Sequence, residues 1–165
     1  MNDPVARLKA LFPEYPLPDA ESYRVCIRLF AYRVYESPIV EFCEYVHARR
    51  LSWFECSWEA DILPLEEDTT ILPYHVLITP FLRYYMPTCL HVAIRYFQGE
   101  YARKDVGNVK LFVERTLFIM AAFEMLLSDE ERQFMADADA LFADNELYKE
   151  ARKVAVAFRA WKCEG

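Results

Sequence analysis

Three dipeptides constrain this chain more than any other feature: Asp3-Pro4, Ser37-Pro38 and Thr79-Pro80. In each, a side chain that accepts hydrogen bonds precedes a proline. An acceptor at the N-cap satisfies an orphan N–H of the first helical turn, and proline at the next position gives up a donor that had no intrahelical partner. Proline also drives the residue before it out of the α region, which is the conformation an N-cap needs. The dipeptides therefore read as helix starts. Only 3 glycines in 165 residues speak against a sheet-and-turn architecture and against phosphate-cradling loops.

Apolar spacing extends these starts into helices. The first covers 4–11, followed by a proline-rich extended connector over 12–18. The second covers 20–35, with Tyr23, Cys26, Ile27, Phe30 and Val34 inward and Arg24 and Arg28 opposite. The third covers 38–50 and buries Ile39, Phe42, Cys43 and Val46. Over 51–78, Pro64, Pro73, an acidic cluster and two tryptophans interrupt any period. That stretch reads as a long irregular excursion with a short hairpin flanking Glu66-Glu67-Asp68. The fourth helix covers 80–98, kinked at Pro87 and stopped by Gly99. The fifth follows Gly107-Asn108 and runs to 127. Its polar edge is only Lys110, Glu114 and Glu124, so it is the central buried helix. Ser128-Asp129-Glu130-Glu131 is a capping box for the sixth, with Phe134, Ala138, Leu141 and Phe142 inward. The seventh follows Asp144-Asn145 and shows Leu147, Ala151, Val154, Phe158 and Trp161 on one face. The expected fold is all-α: a single-domain bundle of about six or seven helices around the segment 109–127, with one irregular acidic excursion.

A hydrophobic share of 55% and an aromatic share of 16% supply a well-packed core. The longest apolar run contains Glu124 and falls short of the about 20 residues that span a bilayer. The cysteines Cys26, Cys43, Cys56, Cys89 and Cys163 are scattered without C-x-x-C spacing, so they read as reduced thiols of a cytoplasmic protein, mostly small core hydrophobes. A net charge of −7 argues against a nucleic-acid surface.

Two regions are candidate sites. The first is the acidic, aromatic excursion: Trp53, Glu55, Trp58, Glu59, Asp61, Glu66, Glu67 and Asp68. Tryptophan anchors binding hot spots, and an acidic rim steers a basic partner. Set against this, the tryptophans could plug into the core. The second is the stripe Tyr84, Thr88, His91 and Arg95, whose helical spacing could line a pocket or simply make a wet helix face. Arg115 projects among Leu111, Phe118, Ala122 and Leu126, so a carboxylate partner from another element is expected.

Other chemistries find little support. Glu44-x-x-His47 is the motif that di-iron bundles use twice, and it occurs once. Asp137-Ala138-Asp139 lacks the later ligands of a calcium loop. Cys89 and His91 point in different directions on a helix. No nucleotide-binding or serine-nucleophile motif is present, and no metal or cofactor is expected.

The stretches Leu11-Phe12-Pro13-Glu14-Tyr15-Pro16-Leu17-Pro18 and Leu77-Ile78-Thr79-Pro80-Phe81-Leu82-Arg83-Tyr84-Tyr85-Met86-Pro87-Thr88-Cys89-Leu90 together resemble a family of small bacterial proteins of unknown function. Its members carry a Thr-Pro…Tyr-Tyr-x-Pro-x-x-Leu signature. The resemblance implies a small cytoplasmic bacterial protein and transfers no catalytic residue.

The leading expectation is a non-enzymatic binding or regulatory protein with an acidic aromatic surface, for example an immunity-type partner of a basic protein. The alternative is an enzyme or small-ligand binder with a pocket beside the 80–98 helix. Shape separates them: an enclosed concave site with convergent polar groups favours the alternative, a flat or protruding acidic patch the first.

Overall fold

The computed structural model describes residues 3–32, 37–64, 71–122 and 127–164. The proline-led starts hold. Helix α1 spans Pro4–Leu11, and the Asp3 carboxylate accepts from the Val5 amide. Helix α2 (Ala20–Phe30) is capped by Asp19, and α3 spans Ser37–Arg49. The four residues expected to face inward from α3 are fully buried. Helix α2 ends five residues short of expectation, at Phe30 rather than 35. Its Cys26 packs on Cys43 of α3, so the chain must reverse between them. Val34 lies outside the described residues.

The described parts of the excursion, 51–64 and 71–78, consist largely of turns and short helical pieces. A π-helical turn, Trp58–Ile62, sits under the Ser57 cap, and a short helix α4 (Ile71–His75) follows. Leu63 and Pro64 before the expected hairpin form a turn, Ile71 after it begins α4, and 65–70 lie outside the described residues.

The expected kinked helix over 80–98 is instead two helices, α5 (Pro80–Arg83) and α6 (Met86–Phe97). Pro87 offers no N–H to the Arg83 carbonyl, and the chain turns at Tyr84-Tyr85 instead of bending. Thr79 caps α5 through the Leu82 amide at 3.2 Å. At the far end Gly99 takes φ +73°, and the Gly99 and Glu100 amides reach back to Tyr96 and Arg95, closing α6 with a Schellman motif.

Helix α7 (Val106–Ala122) lies at the centre, against α4, α6 and α9 (Glu146–Glu164). Its outer edge is wider than expected, because Leu111 is exposed. Arg115 lies on that edge with its guanidinium 5.7 Å from the Tyr74 ring centroid. Among the described residues no carboxylate pairs with it, so the expected buried ion pair gives way to an arginine resting on an aromatic ring at the surface.

Ser128 and Glu131 form the capping box of α8 (Asp129–Leu141), which packs on α1. Phe134 and Phe142 are buried, but Leu141 is exposed. On α9 the inward face is Tyr148 and Ala151, while Leu147 and Val154 face solvent. Tyr148 sets this phase: its ring meets Phe97 and Phe142, and its hydroxyl bonds Asp139. The side chains of Phe158 and Trp161 lie outside the described residues. One continuous apolar core runs from Leu8 of α1 to Ala151 of α9. Among the described residues no helix is long and apolar enough to cross a membrane.

Candidate functional site

The two candidate regions meet. Each member of the stripe over α5 and α6 holds one part of the segment 51–62. The Tyr84 hydroxyl donates to the Glu14 carbonyl at 2.5 Å and accepts from the Trp53 amide at 3.3 Å. Thr88 donates to the Trp53 carbonyl at 2.7 Å. His91 stacks on Phe54, with ring centroids 5.1 Å apart, and Lys9 of α1 covers the same ring at 3.3 Å. Arg95 reaches Glu59 at 3.2 Å and Glu100 at 2.9 Å, and lies over the Tyr101 ring. The helical spacing that suggested a pocket lining is the spacing of a clasp.

The segment held by the clasp supports itself as well. Ser52 and Glu55 bond reciprocally: the Ser52 amide donates to the Glu55 carboxylate at 2.9 Å, and the Glu55 amide donates to the Ser52 hydroxyl at 3.2 Å. Asp61 is buried, and accepts from the Tyr45 hydroxyl at 2.8 Å and from the Ser57 amide at 2.7 Å. Trp53 and Trp58 are wholly buried, Trp58 edge-on to Phe112 of α7. Their indole N–H groups have no hydrogen-bond partner among the described residues. The tryptophans therefore do not present a hot-spot surface. A large aromatic ring beside a central helix gains more from burial than from exposure. Glu66, Glu67 and Asp68 lie outside the described residues.

Electrostatics follow this packing. Burial lowers the His91 pKa, and the neighbouring Arg95 and Lys9 lower it further. Burial raises Tyr84 to about 12. Desolvation opposes the charge on Arg95, but Glu100 and Glu59 outweigh it and raise its pKa.

Cys26, Cys43, Cys56 and Cys89 are buried and form no disulfide. Cys26 and Cys43 share a hydrogen bond at 3.6 Å, which lowers the first thiol's pKa and, with burial, pushes the second far up. Burial also pushes Cys56 well up. His47 stacks on Tyr23 at 3.8 Å. Among the described residues no three or more His, Cys, Asp or Glu side chains gather around a possible metal position.

Open space lies elsewhere. A cleft of about 520 Å³ separates the start of α2 from the end of α3. Phe81, Tyr85, Val46 and Leu51 line it with apolar surface, Leu17 and Pro18 of the connector form one wall, and Asp19, His47 and Arg50 are its polar groups. Local structure explains how Arg50 comes to be there. The Arg50 and Leu51 amides bond back to His47 and Val46, ending α3 with a Schellman motif. Arg50 holds its left-handed position at φ +54°, where glycine is at ease and a side chain costs about 1 kcal/mol. Asp19 lines the same cleft from the start of α2, where its carboxylate caps the helix through the Ser22 amide at 2.7 Å. Tyr84 and Tyr85 occupy the break between α5 and α6, their rings edge to face at 4.9 Å, and Tyr85 lines the cleft. Its hydroxyl donates to the Leu51 carbonyl at 3.0 Å.

The sequence signals for this cleft were the connector 12–18, the break at Pro87 and the lack of a glycine after α3. None of them states that they converge. Comparison with family models, with characterised proteins and with solved structures gave no match.

Proposed function

We propose that this protein is a non-enzymatic binding protein that holds a small ligand in the cleft between α2, α3 and Tyr85. The supporting observation is a contrast in satisfaction. The polar groups of the stripe are occupied by the segment 51–62, whereas Asp19 and Arg50 line open space with no ion-pair partner among the described residues. The volume falls within the about 300–1,000 Å³ of ligand pockets, and the lining mixes aromatic surface with a few polar groups. The reading places the pocket beside α5, on Phe81 and Tyr85 rather than on Tyr84, Thr88, His91 and Arg95. The free thiols and the Thr79–Leu90 signature support a cytoplasmic, bacterial setting.

A second reading, docking of a basic protein partner in an immunity-type role, is favoured by the net charge of −7 and by the unbroken run Glu66-Glu67-Asp68. Replacing that run with alanines should weaken such a complex; unchanged affinity would remove the reading.

The test of the cleft is a thermal-shift screen of small polar aromatic compounds against the wild type and Ala48→Trp. Ala48 is an exposed cleft residue, so the indole fills the space at little structural cost. Compounds should raise the melting temperature of the wild type alone, by an amount set by ligand excess over Kd. Equal shifts in both proteins would place binding elsewhere.

A further inference from the structure

We propose that the ligand of this cleft is an amino-acid-like zwitterion with an apolar or aromatic side chain. The inference rests on the cleft being the binding site, and it comes from the charges that line it. Asp19 at the start of α2 and Arg50 after the end of α3 line one space, and no hydrogen bond or ion pair joins them. The cation that acts on Asp19 is Arg24, on its own helix. The Ser22 amide and hydroxyl bond the Asp19 carboxyl and hold it below the usual carboxylate range, so it is ionised at neutral pH. Arg50 cannot shed its charge.

Two opposite charges lining the same space discriminate among ligands. An anion gains from Arg50 and is repelled by Asp19. A cation meets the reverse. A neutral ligand uses neither. A molecule carrying an ammonium and a carboxylate uses both, and its side chain lies against Leu17, Pro18 and Leu51, the half-buried apolar lining of the cleft. His47, held between Tyr23 and Phe81, is the remaining polar group. The left-handed backbone at Arg50 fits this role: the strain is tolerated at a position where the side chain has no internal partner among the described residues.

The test is a calorimetric titration, with amide chemical shifts to locate binding, of L-phenylalanine and three analogues. N-acetyl-L-phenylalanine keeps only the negative charge, L-phenylalaninamide only the positive, and the N-acetyl amide neither. The free amino acid should bind about fivefold more tightly than either singly charged analogue, the scale of a partly exposed ion pair. Arg50→Gly should erase its advantage over the amide. Asp19→Asn, which keeps the helix cap, should erase its advantage over the N-acetyl form. Equal binding of all four around His47 and Tyr85 would overturn the zwitterion and leave the cleft standing. No binding of any of the four would also overturn it, and the cleft itself would then be judged by the Ala48→Trp comparison.

Discussion

Around α6, a tyrosine, a threonine, a histidine and an arginine each reach a partner in the segment 51–62. Around the end of α3, an aspartate and an arginine face open space. The residue types are much the same in both places, and what differs is whether the fold has already used them. In the clasp the polar side chains tie distant segments together; in the cleft Asp19 serves only as the local cap of α2 and Arg50 has no ion-pair partner among the described residues, so both keep a charge for a ligand. Whether a polar group bridges distant segments, not its residue type, separates the clasp from the cleft.

That comparison predicts opposite consequences for substitutions in the two regions. The largest effect belongs to the clasp side. Trp58→Ala should cost about 3–5 kcal/mol in denaturant unfolding, because it empties a buried indole site against Phe112. If the tryptophan were a surface anchor, stability would hardly move. Next is Thr88→Val, which keeps the shape and leaves the Trp53 carbonyl without its donor. A loss of about 1–3 kcal/mol is expected, with ligand binding in the cleft unchanged.

Arg50→Gly should do the reverse. Relief of the left-handed strain should stabilise the protein by about 0.5–1 kcal/mol while weakening the ligand. A destabilised Arg50→Gly protein would mean that the side chain supports the fold, and the comparison would fail there. A double-mutant cycle on Glu59 and Arg95 should give a coupling of only about 0.5 kcal/mol, since both groups remain partly exposed and screened.

The smallest effect is in pH. The folded-state pKa of His91 is lowered from 6.5 by burial, then by Arg95 and Lys9, with Glu100 and Glu59 opposing. The unfolded chain therefore takes up the proton first as pH falls. The stabilising contribution is full above 6.5 and is lost as pH drops through the folded-state value. Unfolding midpoints between neutral pH and pH about 5 should fall in the wild type and fall less in His91→Gln.

Local signals were legible. Asp3, Thr79 and Ser128 cap the helices they precede, and the inner face of α3 is the one its spacing implies. Signals that depend on distant partners were not. The phase of α9 could not be read because Leu147 and Tyr148 are adjacent and either can lead an apolar face; the aromatic cluster with Phe97 and Phe142 selects Tyr148. The helical spacing of Tyr84, Thr88, His91 and Arg95 is legible, but what they hold lies more than thirty positions away at Trp53 and Glu59. One signal was present and unread: Ser52-Trp53-Phe54-Glu55 spells a capping box, and Ser52 and Glu55 form one. It marks ordered structure where prolines and acids suggested an irregular excursion.

The most direct test of the central claim is a map of backbone amide shifts during titration with whichever compound most stabilises the protein. Perturbations should concentrate at Asp19, His47, Arg50 and Tyr85 and leave Thr88, His91 and Arg95 unmoved. Perturbations centred on Thr88, His91 and Arg95 instead would contradict the account, because they would show that the clasp opens to bind and that the cleft does not.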